Sequence, residues 1–307
     1  MIMSDFRHPA FFYRTPEEYL AGATAFVHAG LSAGQPVAVA VPGPRLEEIR
    51  AGLGSAAGSV KMIDMREAGR NPGRILPGVL SAFADAHPHA TPHIIGEPIW
   101  PGRTETEYPA CAQHEALINL AFAGRSIAIM CPYDASRLGR RALADAAVSH
   151  PVLWDADGER KSDRFAPERL VADYNTPLPE PVGTVRVLPF DEAALPLVRE
   201  FTVAETLRAG LGRDRAGDAE LVVNELAANS VHHGGGSGVV RIWRHYGQVV
   251  CEVSDQGRMT DPLVGRRPAG DSVRGGRGVL MVNLIADLVR THTGPAGTTT
   301  RAYFRRV

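Results

Sequence analysis

Short apolar runs alternate with amphipathic stretches from residue 16 to residue 148, and this alternation constrains the chain more than any other feature. Residues 35–41 (QPVAVAV), 60–65 (VKMIDM), 92–98 (PHIIGEP) and 126–131 (SIAIMC) have the length and composition of buried strands. Residues 16–29, 44–53, 72–86, 107–123 and 135–148 read as helices, several opening on a proline near the first turn. Strand and helix in regular succession require crossover connections, so the expected architecture is a mostly parallel sheet covered by helices.

The alternation stops near Asp155. DADGERKSDRF and YNTPLPEPVG are polar, rich in proline and without period, as a connection would be. The expected organisation is therefore a domain over residues 1–154, a linker over 155–184 and a second domain over 185–307. In the second domain a strand (TVRVLPF) leads to helices at about 195–209 and 213–233. Strands follow at 239–245 and 249–254, joined as a hairpin. A glycine- and proline-rich stretch, a helix at 278–288 and two closing strands around 294–297 complete it. This order predicts a two-layer α/β sandwich.

Composition excludes several classes. A chain of 307 residues with 44% hydrophobic and 22% charged residues has room for about two soluble domains. A formal charge of -1 gives no hint of a nucleic-acid or membrane surface. No segment is apolar for the ~20 residues that a bilayer crossing needs, and MIMSDFRHPAFFY does not read as a secretory signal. Cys111, Cys131 and Cys251 are odd in number and show no CxxC or Cys/His ligand spacing, so disulfide or zinc frameworks are not expected. A cytoplasmic protein is expected.

NELAANSVHHGGG, residues 224–236, is the stretch that points to chemistry. Spacings of four and three place Glu225, Asn229 and His232 on one face of a helix, with Leu221, Val222, Leu226 and Val231 read as core contacts. By itself such a stripe is most simply a solvated face. His232 and His233 read as C-terminal residues favoured by the helix dipole, with Gly234 as the stop. Downstream, the strand VVCEVSD ends on Asp255, followed by Gln256 and Gly257, and GGRGVLMVNLIADL opens a helix on Gly275, Gly276 and Gly278. A carboxylate at a strand end can accept from an exocyclic amine such as that of adenine. Glycine lets backbone approach a flat ring, and a helix start offers N–H groups and a favourable dipole to phosphate. The only lysines are Lys61 and Lys161, so the second half has none; with no GxxxxGK[ST] in the chain, a Walker loop is excluded. Phosphates would rest on backbone N–H groups, a metal ion and Arg277.

In this order and at these separations, ELAAN, DQG, GGRG and GTT resemble the GHKL (Bergerat) ATP-binding, histidine-kinase-like fold, over about residues 185–307. The form of the boxes looks most like the anti-sigma factor serine kinases. The resemblance implies ATP and Mg²⁺ as cofactors, Glu225 as general base toward a serine hydroxyl, and Asn229 as the magnesium ligand. It implies Asp255 and Gly257 at adenine, Gly276, Arg277 and Gly278 at the phosphates, and Thr298 or Thr299 near the base. An anti-anti-sigma (STAS) protein and a sigma factor are the implied partners, and homodimers are usual among such kinases. One departure stands out: the adenine box usually reads DxGxG, whereas Arg258 and Met259 follow Gly257 here. Retained Glu225 favours a kinase; Arg258 and Met259 favour a binding switch with little or no turnover.

In the first half, HPAFFYRTPEEYLAGATAFVHAGLSAGQPVAVAVP, GEPIW, HEALIN and AIMCPYD resemble the MEDS sensory domain, implying a RecA-like α/β fold without a working P-loop and a small-molecule ligand. His8, Tyr13, Glu97, Trp100, Glu115 and Tyr133 match its recurrent positions, as pocket or structural residues. Two rivals fail on context. GLSAG at 30–34 matches GxSxG but lies between helix and strand in the wrong order for a nucleophile elbow. His114-Glu115 resembles a phosphoacceptor box, yet no long two-helix hairpin leads from it to the ATP domain.

Overall fold

The computed structural model describes residues 6–267 and 277–306. The chain divides into two compact units, Met1–Tyr174 and Asn175–Val307. In the first, the strands are β1 (Phe6–Arg7), β2 (Pro9–Tyr13), β3 (Val37–Val41), β4 (Val60–Asp64), β5 (His93–Gly96), β6 (Ile127–Asp134), β7 (Val152–Asp155) and β8 (Gly158–Lys161). The helices are α1 (Pro16–Ser32), α2 (Gly43–Leu53), α3 (Met65–Ala68), α4 (Ala82–Asp85), α5 (Tyr108–Ala121), α6 (Arg140–Ser149) and α7 (Pro167–Asp173). Among the described residues the sheet runs β4-β3-β5-β6-β2-β7-β8, with β1 also beside β6. All its pairings are parallel except β7 with the edge strand β8.

Local chemistry explains the elements. Thr15 caps α1 by accepting from the Glu18 N–H at 3.2 Å, and Pro16 takes the first helical position. The whole of β3, VAVAV, is buried, as a strand covered on both faces must be. The helix expected over 72–86 is instead broken into a 3₁₀ turn (Pro72–Arg74), a π turn (Leu76–Ser81) and α4. Pro77 and its neighbour Gly78 account for this, because proline cannot donate into the ladder and its ring crowds the preceding turn. Residues 155–174, within the segment expected to be a linker, form β8 and α7 inside the first unit. There Leu170 and Tyr174 of the α7 end pack with Ala112 and Ala116 of α5.

The carboxyl ends of the parallel strands gather polar groups, the usual place for ligands in an open α/β sheet. Glu97, just past β5, is buried and accepts from the Tyr19 hydroxyl at 3.2 Å. The Arg45 guanidinium lies 4.3 Å from the Tyr19 ring centre, donates to the Tyr13 hydroxyl at 3.2 Å and stands 3.6 Å from Asp134. Burial pushes the Glu97 carboxyl up to about 8, against the opposing pull of Arg45 and the Tyr19 hydrogen bond.

The second unit contains β9 (Arg186–Asp191), α8 (Leu195–Arg208), α9 (Arg213–His233), β10 (Ser237–His245), β11 (Gln248–Asp255), α10 (Arg277–Ile285), β12 (Leu288–Gly294) and β13 (Gly297–Arg305). Its sheet, ordered β12-β13-β11-β10-β9 among the described residues, is antiparallel throughout. Phe190, Val240, Ile242, Val249, Cys251, Val253, Ala302 and Phe304 form the strand side of a core whose other side comes from α8, α9 and α10. A two-residue turn at Tyr246 (φ 41°) and Gly247 (φ 77°) closes β10 onto β11, the type I′ geometry suited to strand twist. This is the two-layer sandwich expected from the sequence. Among the described residues no helix is long and apolar enough to cross a membrane.

Glu97 generates a pH prediction. Its carboxyl is raised from 4.5 to about 8 in the folded chain, so its contribution is full below the unfolded value and declines as pH rises through about 8. The decline amounts to a few kcal/mol, on the order of 5 at its upper bound. Thermal unfolding of the full chain from pH 5 to 9 should show the transition of the first unit losing stability in wild type and a flatter profile in Glu97→Gln; superimposable profiles would contradict the assignment.

Candidate nucleotide site

Helix α9 builds the site because it is apolar on one side only. Ala216, Ala219, Val222, Val223, Leu226, Ala227 and Ser230 recur at helical spacing and are buried. Each Val or Leu among them contributes roughly 1.5–3 kcal/mol of burial. Leu221, expected in the core, is 49% exposed, because its position falls on the far side of that stripe. The helix ends at Gly234, whose N–H donates to Ser230 O at 2.8 Å, and His232 and His233 sit exposed in the last turn.

Glu225 and Asn229 are half-buried one turn apart, facing the start of α10. A Cβ on Gly278 would overlap Glu225 Oε2, the movable end of that side chain, and lie 3.6 Å from Asn229 Nδ2, so the α10 backbone passes close to both side chains. Asn229 Nδ2 is buried and, among the described residues, has no hydrogen-bond partner. Arg277 is exposed at the first described residue of α10, and Gly276 lies outside the described residues.

Asp255 closes the other end of the cleft. One carboxylate oxygen accepts from Ser230 Oγ at 2.6 Å and the other from the Gly257 N–H at 2.8 Å, which leaves lone pairs on both. The Gly257 carbonyl accepts from Thr298 Oγ1 at 2.9 Å; Thr298 Oγ1 lies 2.9 Å from Thr293 Oγ1, which accepts from the Met259 N–H at 3.0 Å. Gly257 is close-packed: a Cβ would come within 2.6 Å of His233 O and 2.7 Å of the Gly234 Cα. Arg258 is exposed.

The structure thus brings Glu225, Asn229 and Gly278 together on the side of α9 that faces α10, and separately Asp255, Gly257 and Thr298 beside Ser230 at the end of β11. Thr299 is not among them. It pairs with Ser254 and His292 and projects to the opposite sheet face, whereas Thr298 pairs with Asp255. The sequence reading missed Ser230 and Gly297. A serine one turn after Leu226 within an apolar stripe was the available signal for the first. Gly297 has φ +125°, and a Cβ there would overlap the Asp255 carbonyl. The residues fit a magnesium-bound nucleotide: a carboxylate with lone pairs for an exocyclic amine, an amide whose Nδ2 can donate to phosphate and whose Oδ1 is a hard oxygen ligand, and a glycine in the first described turn of α10.

Two glycine substitutions should separate fold from site. Gly297→Ala strains a positive φ and meets backbone, so a loss of about 2–4 kcal/mol is expected in chemical unfolding of the full chain. Gly278→Ala meets only the end of the Glu225 side chain and should cost within about 1 kcal/mol. The opposite ranking would contradict this description.

Comparison with known proteins agrees with this architecture. Residues 7–151 match the family model of MEDS, the methanogen/methylotroph, DcmR sensory domain, and residues 188–304 match that of the histidine kinase-like ATPase domain. No curated protein matches the chain significantly. Among solved structures, the crystal structure of the RsbU and RsbW domains of a Mycobacterium tuberculosis protein is similar at 20% identity and a TM-score of 0.31. That match covers 40% of this chain and 32% of the other, so it spans about a third of the solved one. The ATPase model implies nucleotide binding in the second unit. The chain carries an N-terminal MEDS domain and a C-terminal histidine kinase-like ATPase domain of the GHKL type.

Proposed function

We propose that the chain is an anti-sigma regulatory factor with protein-serine kinase activity, transferring a phosphoryl group from Mg-ATP to an anti-anti-sigma (STAS) partner. The observation that carries this reading is the placement of Glu225 and Asn229 on one face of α9, against Gly278, with Asp255 fixed at the far end. Phosphoryl transfer asks a protein mainly for positioning and charge neutralisation, and this cleft offers both without a lysine.

Asp255 would accept from the adenine amine, held in register by Ser230 and the Gly257 N–H. Gly257 and Thr298 would line the base. Asn229 would hold Mg²⁺, which when bound neutralises phosphate charge and orients the terminal group. Gly276, Arg277 and Gly278 would receive the phosphates at the α10 start. Glu225 would orient the partner's serine hydroxyl and take its proton. A sigma factor would be the second client, and the MEDS domain would modulate the switch in response to a small molecule. The protein would work in the cytoplasm, and a homodimer would be one possible assembly.

A second reading is a binding switch with little turnover. It is favoured by Met259, whose N–H is held by Thr293 where the resemblance expects a glycine. Transfer of label from γ-labelled ATP to candidate STAS partners separates the two. A kinase labels a partner serine, and Glu225→Ala should slow the transfer about 100-fold or more. Labelling unchanged by that substitution removes Glu225 from the mechanism, and ATP binding without transfer to any partner favours the switch.

A further inference from the structure

Four side chains from four separate elements of the first unit meet in its interior. His8 lies between β1 and β2, Glu115 on α5, Cys131 on β6 and His150 between α6 and β7. Their exposures are 0, 1, 1 and 0%. One ligand atom from each, the two Nε2 atoms, Sγ and a carboxylate oxygen, all lie within 4.8 Å of one another. Glu115 Oε2 is 3.1 Å from His150 Nε2 and 3.5 Å from His8 Nε2, and Cys131 Sγ is 3.5 Å from His8 Nε2.

The outward-facing ring nitrogens decide what the inward-facing ones can be. His8 Nδ1 lies 3.1 Å from Asn119 Oδ1, and the Asn119 Nδ2 donates to Ser149 O at 2.7 Å and Ala116 O at 3.1 Å, which turns its oxygen toward the ring. His150 Nδ1 lies 2.9 Å from the Ala146 carbonyl and 3.0 Å from Ser149 Oγ, whose own proton goes to the Asp145 carbonyl at 3.0 Å. All these neighbours are acceptors, so each Nδ1 carries the proton and each Nε2 presents a lone pair to the centre. Among the described residues neither Glu115 oxygen nor His150 Nε2 has a hydrogen-bond partner of acceptable geometry. Two lone pairs and a carboxylate thus converge in a dry interior, an arrangement whose cost is large unless a cation occupies the middle.

We propose that His8, Glu115, Cys131 and His150 form a tetrahedral site for a divalent transition metal, with zinc as its natural occupant. Zinc–ligand bonds of about 2.0–2.3 Å put the corners of a tetrahedron roughly 3.3–3.8 Å apart. The shortest separations, 3.1 and 3.5 Å, lie close to that size, and the full spread stays within 4.8 Å, so small side-chain shifts bring the four atoms to it. Two imidazoles, a carboxylate and a thiolate suit zinc or cobalt(II) and not magnesium or calcium. With four protein ligands and full burial the site is closed, so its role is to clamp the start of β2, α5, β6 and the α6–β7 junction together. The metal binds as the thiol gives up its proton, with no redox change. This site is in the other unit from the nucleotide cleft and is independent of the kinase reading.

The test uses the untagged full chain. Elemental analysis after incubation with zinc and desalting should give one zinc per chain, and removal with a chelator should lower the midpoint of the first thermal transition. Cobalt(II) added to the stripped chain should give a thiolate-to-metal charge-transfer band and the intense visible bands of a tetrahedral site. Cys131→Ser should abolish the charge-transfer band, and Cys251→Ser, in the other unit, should leave it intact. A folded wild-type chain that takes up no zinc or cobalt overturns the proposal, as does cobalt uptake without the charge-transfer band. The four groups would then be a buried proton-sharing network.

Discussion

The nucleotide site depends on the two hydrogen bonds that hold Asp255. Ser230 supplies one from the buried face of α9 and Gly257 the other from the chain just beyond β11. Together they tie helix layer to sheet at the carboxylate proposed to read adenine. The same helix carries Asn229, the residue before Ser230, and Glu225, about one turn earlier, toward α10. The placing of these two side chains relative to the proposed base-reading carboxylate is therefore set by α9, a rigid element anchored by its apolar stripe, and not by loop conformation. Gly234, Gly257, Gly278 and Gly297 serve this arrangement by removing bulk where helix, strand and turn come closest.

The first unit handles polar groups differently. Glu97 is buried beside two tyrosine hydroxyls and an arginine at the carboxyl edge of the sheet, where a proton answers the desolvation cost. Glu115 is buried beside a cysteine and between two histidines whose outer ring nitrogens already donate elsewhere, where the proposed metal answers it. Two buried carboxylates in one domain thus take two solutions, set by whether the neighbours bring donors or lone pairs.

Much of the architecture was legible in the sequence because it rests on period. The alternation of β3, β4, β5 and β6 with helices, and the long run of α9, follow from residue spacing alone. The glycine boxes carried the candidate cleft, because close approach and helix starts leave a local mark. What period could not show was β2, a five-residue central strand opening on proline, or β8 and α7 inside a polar stretch that read as linker. Thr299 and Thr298 were indistinguishable until strand register assigned them to opposite faces. The His8, Glu115, Cys131 and His150 cluster escaped because ligand spacing signals exist only when ligands share an element. Here four elements each contribute one, and only tertiary packing brings them together.

Nucleotide recognition by Asp255 is the claim on which the kinase reading and the binding-switch reading both rest, and calorimetric titration of the full chain with ATP and magnesium tests it most directly. One ATP should bind per chain, GTP should bind far more weakly because its ring oxygen faces the carboxylate, and Asp255→Asn should weaken ATP at least about tenfold, some 1.4 kcal/mol. Absence of saturable ATP binding by the folded chain, or affinity indifferent to both the base and the Asp255→Asn change, would contradict the account.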